Sequence, residues 1–221
     1  CTQNSPLPDA DGSNAIIKVE SYNPTARTNN PSFYGTDLIS DRSFPLGTGV
    51  HVTVRAAMST NTPGIVGGIF LYALKPGSTT LHDEVDFELL SNLPDGAQAN
   101  IYGNEPLGAG HPQFISYASG TITNYHTYEI KWETNRVTWF IDGDLVRTDT
   151  NHVPTGPMDF HLNIWAPASD WAEAYSSNLA PTTSANSNQV FWMSVDSVDI
   201  QSSGPSASTP VLPLLLLDKT P

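Results

Sequence analysis

The chain has 221 residues, with 9 Lys+Arg against 22 Asp+Glu, a net charge of −13 and only 14% charged residues. That balance excludes the broad basic surface needed to hold nucleic acid or an anionic membrane, and it is awkward for a polyanionic substrate, so a neutral ligand fits better. The length allows one substantial domain with its own core, and no apolar run reaches the roughly 18 residues that a membrane span requires.

Residues 1–13, rich in Ser, Pro, Asn and Asp, are expected to form a tether. Cys1 is the one cysteine, which rules out an internal disulfide. A cysteine heading such a stretch resembles the mature end of a bacterial lipoprotein, implying a secreted or envelope-attached protein; a trimming boundary would give the same feature. Strands are expected at 15–20 and 32–40, with a Pro/Asn loop between them. Residues 50–56 alternate cleanly between apolar and polar, a third strand. Residues 65–74 are an apolar strand interrupted by Gly67 and Gly68, where another group can approach the backbone closely. Further strands are expected at 98–104, 125–132, 136–142, 144–147, 158–165 and 189–200, the last closing a sheet. Asp142-Gly143 marks a hairpin turn. Residues 171–187 read as irregular or briefly helical, and 202–221 as a Ser/Pro-rich linker ending in the apolar run 211–217. Many short strands, Gly/Pro/Asn turns and no long amphipathic helix give a single all-β domain over 14–201, a sandwich or a barrel.

The stretch from His82 to Leu90 stands apart. Its strict alternation places Glu84, Asp86 and Glu88 on one face of a strand, with His82 behind them, and Val85, Phe87 and Leu89 on the other. Carboxylates side by side on one sheet face repel each other, and a strand has no folding need for them. Residues four apart have Cα atoms about 13 Å apart. Two glutamates leaning toward each other can then reach the ~5–5.5 Å carboxyl separation of retaining glycoside cleavage. In that chemistry one carboxylate attacks the anomeric carbon and a protonated partner releases the leaving oxygen. Asp86 between them would raise the pKa of whichever neighbour is least solvated. On the residues alone, a solvated edge and a calcium site with hard oxygen ligands remain open alternatives.

The run Glu84-Val85-Asp86-Phe87-Glu88 resembles the Glu-x-Asp-x-Glu signature of glycoside hydrolase family 16. Other segments resemble that family in the same order. They are Gly64 to Tyr72, Asn100-Ile101-Tyr102-Gly103-Asn104, Tyr125 through Trp132, Val137 through Gly143, Asn163-Ile164-Trp165 and Val195-Asp196-Ser197-Val198. The resemblance implies a concanavalin-A-like jelly-roll sandwich of two antiparallel sheets with a concave substrate cleft. It implies a monomeric retaining endo-β-glucanase acting on β-1,3 and/or β-1,4 linkages of a neutral glucan, with no catalytic cofactor. Glu84 matches the nucleophile, Asp86 the helper that tunes the pair, and Glu88 the acid/base. Asn163, Trp165, Asn100, Tyr102, Phe70 and Tyr72 match cleft positions, His126 a position near the cleft, and Asp196 a ligand of a structural calcium. The single residue between Asp86 and Glu88 leans toward lichenase-like or transglycosylase-like relatives. His82 departs from the tryptophan common in lichenases, so it is expected to alter a sugar subsite or the pH profile. A transglycosylase using the same residues and a non-catalytic glycan-binding module are the rival readings.

Overall fold

Period-two alternation recurs along the chain, and apart from a 3-10 turn at Ala185–Ser187 the regular elements it yields are strands. The computed structural model describes residues 6–47 and 49–202. Cys1, the apolar run 211–217 and all of the expected linker except Ser202 lie outside the described residues. Fourteen strands are formed among the described residues: β1 (Asp9–Asp11), β2 (Asn14–Glu20), β3 (Tyr34–Gly35), β4 (Asp37–Phe44), β5 (Val50–Met58), β6 (Val66–Leu74), β7 (Leu81–Leu90), β8 (Gly96–Pro106), β9 (Gln113–Ser116), β10 (His126–Glu133), β11 (Arg136–Ile141), β12 (Asp144–Asp149), β13 (Met158–Trp165) and β14 (Val190–Ser202). One sheet runs β1-β2-β14-β5-β10-β11-β12, with β3 added beside β2; the other runs β4-β13-β6-β7-β8-β9. This is the expected all-β, two-sheet jelly-roll sandwich.

The inward-facing residues of the two sheets make one core. Ile17, Val52, Val54, Tyr128, Ile130, Trp132 and Trp139 meet Ile69, Leu71, Val85, Phe87, Leu89 and Ile101, all at most 1% exposed. Each such side chain contributes roughly 1.5–3 kcal/mol by leaving water. The acidic strand β7 therefore sits in the middle of its sheet, its apolar face committed to this core and its acidic face turned outward.

Four local features differ from the expectations. Residues 1–13 are not all tether, because β1 pairs with β2 across a turn whose Gly12 has φ +63°. The strand expected at 32–40 is split at Thr36, whose buried hydroxyl bonds to the Lys18 and Pro6 carbonyls. The short edge strand β9 carries no alternation long enough to register in sequence. Strand β14 does not close the sheet but lies inside it, between β2 and β5, with a bulge between Val195 and Ser197. The Asp142-Gly143 turn has positive φ at both residues, 54° and 89°, as a type I′ hairpin requires.

Candidate active site

Cross-strand register assembles the site. Glu84 lies between Tyr72 of β6 and Tyr102 of β8, Asp86 between Phe70 and Asn100, and Glu88 between Gly68 and Gln98. One strand further out, Asp159, His161 and Asn163 of β13 stand opposite Tyr72, Phe70 and Gly68. The three carboxylates and seven of the eight expected binding residues (Phe70, Tyr72, His82, Asn100, Tyr102, Asn163 and Trp165) thus lie on β6–β8 and β13.

Gly68 explains how Asn163 reaches the acids. A Cβ on Gly68 would fall 2.4 Å from Asn163 Oδ1 and 3.3 Å from Phe70 Cδ1. The missing side chain lets the amide lie across β6 toward Glu88. Asn163 Oδ1 is buried with no hydrogen-bond partner, an acceptor left open for a ligand hydroxyl. Gly68→Ala should therefore displace a movable side-chain tip, not backbone. We expect a stability change within about 1 kcal/mol and a fall in kcat/KM of roughly 10–100-fold from misplacement, read by denaturant unfolding and steady-state kinetics on the same variant.

The acids differ in environment. Burial pushes the Glu88 carboxyl up to about 7, Glu84 and Glu173 add to the rise, and a hydrogen bond from Gln98 Nε2 to Glu88 Oε2 (2.9 Å) opposes it. Asp86 is held well above the usual carboxylate range, first by burial and then by Glu88 and Glu84, with Arg147 pulling the other way. Neither Asp86 oxygen has a hydrogen-bond partner; the Asn100 N–H points toward it without good hydrogen-bond geometry. Burial of this kind favours the protonated form of the carboxyl. His82, only 2% exposed, lies between the rings of Tyr72 and Tyr102, with centroids at 5.4 and 4.4 Å. Its Nε2 is 3.2 Å from Glu84 Oε2, within ion-pair range though poorly angled for a hydrogen bond. The Glu84 contact raises the His82 pKa against the opposing effect of burial. The histidine thus touches Glu84, the carboxylate expected to be the nucleophile.

Several supporting residues escaped the sequence reading. Gln98 was recoverable, since it precedes Asn100 by two on the same strand face. Trp139 was not: it belongs to the opposite sheet, yet its Nε1 donates to the Asp86 carbonyl at 3.0 Å and fixes the backbone of β7 through the core. Arg147, also from the opposite sheet, lies over the Trp139 ring and donates to the Ala99 carbonyl. Asp83, 1% exposed on the core face of β7, pairs with Lys75 and accepts the Asn104 and Gly156 N–H groups. It thereby pins the bulge where β8 passes His82.

One expected residue, His126, is misplaced; Asp196 and Trp165 have surroundings of their own. His126 belongs to the other sheet and points inward, stacked on Tyr117 at 3.9 Å and bonded to Asp142 Oδ2 at 2.7 Å. It is a satisfied structural histidine, not part of the cleft, because the inward positions of β10 face the core. Asp196 lies at the β14 bulge, where its Oδ2 takes a hydrogen bond from Arg55 Nη1 at 3.2 Å. A guanidinium already neutralises the carboxylate, and no cluster of three side-chain ligands includes Asp196 among the described residues. Trp165 is 37% exposed at the end of β13, tilted against Trp171 at 5.8 Å. It borders a groove of about 590 Å³, also lined by Phe33, Gly35, Tyr175 and Leu179, that does not extend over the carboxylates.

Fold and site together define a jelly-roll sandwich with an acidic strand at the centre of its open sheet. The chain matches the model of glycosyl hydrolases family 16 over residues 9–184 and belongs to that family. It is 34% identical over 151 residues to a beta-glucanase of Bacillus amyloliquefaciens, covering 66% of this chain and 61% of that protein. The chain thus matches less than two thirds of the length of this curated relative. Among solved structures, it resembles a beta-1,3-1,4-glucanase (lichenase) derived from a mouse hindgut metagenome, with TM-score 0.67 and 25% identity over 86% of this chain and 81% of that one. It also resembles the Crh5 transglycosylase in complex with NAG, with TM-score 0.63 and 25% identity over 91% of this chain and 78% of that one.

Proposed function

We propose that this protein is a retaining, endo-acting β-glucanase that hydrolyses internal β-1,3 and/or β-1,4 linkages of a neutral polysaccharide of the mixed-linkage glucan or laminarin type. The observation that carries the reading is the carboxyl of Glu88, kept protonated up to about 7 on the same strand face as Glu84. In the first step Glu84 attacks the anomeric carbon, the glycosidic C–O bond breaks, and Glu88 passes its proton to the departing oxygen. In the second, Glu88 as carboxylate takes a proton from water, the water oxygen attacks the same carbon, and the bond to Glu84 breaks. Two inversions give net retention. Asp86, neutral between the two glutamates, adds a proton instead of a third negative charge, so the glycosyl–Glu84 bond forms without extra repulsion. The beta-glucanase and lichenase relatives support the substrate class. A secreted or envelope-attached monomer belongs to the same reading, because a polymeric glucan is met outside the cell.

The test is a panel of lichenan, laminarin, xyloglucan and agarose, with products sized and the first-formed anomer followed by NMR. Oligosaccharides released from mid-chain with β configuration are expected. Release of monosaccharide alone, or an α-configured first product, would refute it. The likeness to the Crh5 transglycosylase supports a second reading, transfer of the glycosyl group to a sugar instead of water. Lengthened products on adding oligosaccharide acceptors would establish it.

A further inference from the structure

Beyond His82, whose cross-strand partner is Glu105, three polar side chains converge where the end of β8, the loop after it and the β12–β13 connection meet. Glu105 Oε1 lies 2.9 Å from His111 Nε2, and Glu105 Oε2 accepts the Gly103 N–H at 3.0 Å. The His111 and His152 rings stack with centroids 3.5 Å apart and planes 19° from parallel. One ligand atom from each of Glu105, His111 and His152 lies within 4.8 Å of the other two. Behind them, Asp149 Oδ2 accepts from His152 Nδ1 at 3.1 Å while its Oδ1 holds the Asn151 and His152 N–H groups at 2.9 Å.

We infer that Glu105, His111 and His152 form a binding site for a single borderline divalent cation of the zinc type. Two imidazoles and one carboxylate with a remaining open position are a recognised zinc ligand set. Ligands at about 2.0–2.1 Å from a tetrahedral zinc stand about 3.3 Å apart, so the Glu105–His111 separation needs little change and His152 needs only a side-chain adjustment. The Asp149 contact fixes the His152 tautomer with the proton on Nδ1, and Nε2, which makes no hydrogen bond among the described residues, keeps its lone pair. Two stacked imidazoles would repel each other if both were protonated, whereas a shared cation uses both in the neutral form. Imidazole ligands select against calcium and magnesium. The site joins two loops: Gly103 leaves room for the His152 carbonyl, and Gly110, one residue before His111, packs against the Tyr102 ring. A bound cation would clamp the loop that supports Tyr102, the cross-strand neighbour of Glu84.

Calorimetric titration of the chelator-treated protein with zinc chloride tests this. One saturable equivalent is expected, with a rise in the thermal unfolding midpoint, and neither calcium nor magnesium should compete. His111→Gln and His152→Gln, made separately, should each weaken binding at least 100-fold, and Asp149→Asn about 10–100-fold as a loss of orientation. Cobalt(II) in place of zinc should give tetrahedral visible absorption bands in the parent that vanish in both histidine variants. The metal-free unfolding midpoint of each variant reports whether it folds, and either histidine variant alone suffices. Absence of saturable zinc uptake by the parent would overturn the site. So would uptake that persists in a folded histidine variant, including uptake abolished only by Glu84→Gln or Glu88→Gln, which would assign zinc to the catalytic acids.

Discussion

Glu84→Gly is expected to lower kcat on a glucan by on the order of 10⁴–10⁶-fold, the loss seen when a catalytic nucleophile is removed, while the protein stays folded. The stability should hold because Glu84 lies on the outward face of β7 and takes no part in the apolar core on the other face. Azide should restore turnover of an activated aryl glycoside by occupying the vacated space and attacking the anomeric carbon directly. With Glu88 intact to protonate the leaving oxygen, a single displacement gives a glycosyl azide of inverted configuration. The stereochemistry makes the experiment decisive: a retained azide product at Glu84→Gly, or rescue confined to a Glu88 variant, would exchange the roles of the two residues. Loss of Glu84 also leaves His82 without its carboxylate contact. The raised His82 pKa should then fall toward its ordinary value, a shift measurable by NMR titration of the same variant.

Glu88→Gln should separate activity from stability. Loss of general acid catalysis costs about 10²–10⁴-fold on a glucan and far less on an aryl glycoside whose leaving group needs no proton. The stability effect has the opposite sign. The folded pKa of Glu88 is about 7 against an ordinary 4.5. The unfolded chain therefore gives up this proton first as pH rises, and folding loses stability from about 4.5 until the group ionises near 7 in the native state. A gap of that size corresponds to about 3 kcal/mol. Glutamine never ionises, and its carbonyl can still accept from Gln98. Relative to the parent, Glu88→Gln should thus gain about 3 kcal/mol between pH 4.5 and 8, read by urea unfolding at both values. An unchanged difference between variant and parent at the two pH values would show that Glu88 does not carry the raised pKa. In the parent, the same ionisation should set the alkaline limb of kcat/KM near pH 7. Gln98→Leu removes the hydrogen bond that lowers this pKa, so it should move the limb to higher pH.

Much of this site was legible because a strand writes its faces into sequence. Alternation from His82 to Leu90 placed three acids and a histidine on one face with no knowledge of neighbours. The same period carried Asn100 and Tyr102, and would have carried Gln98 had the face been followed two residues further back. His126 shows where such reasoning fails. Its strand alternates as cleanly as β7, but periodicity states only that His126 and Tyr128 share a face, not whether that face meets ligand or core. Here the inward positions of β10 are filled by Tyr128, Ile130 and Trp132, and His126 joins them with its polar atoms satisfied by Asp142 and Thr121. Asp196 shows a related limit, since its partner Arg55 is supplied by a strand far away in sequence.

The sequence by itself determined the all-β class, the outward direction of Glu84, Asp86 and Glu88, and the family resemblance, because all three follow from local alternation and the order of short motifs. Only the tertiary structure decided how each acid differs. Burial separates Asp86 and Glu88 from ordinary carboxyls, Trp139 and Arg147 reach β7 and β8 from the opposite sheet, and Gly68 leaves room for Asn163 because β13 lies beside β6. Each of those effects arises between strands distant in the chain, and dielectric environment and cross-sheet distance exist only once the two sheets have packed.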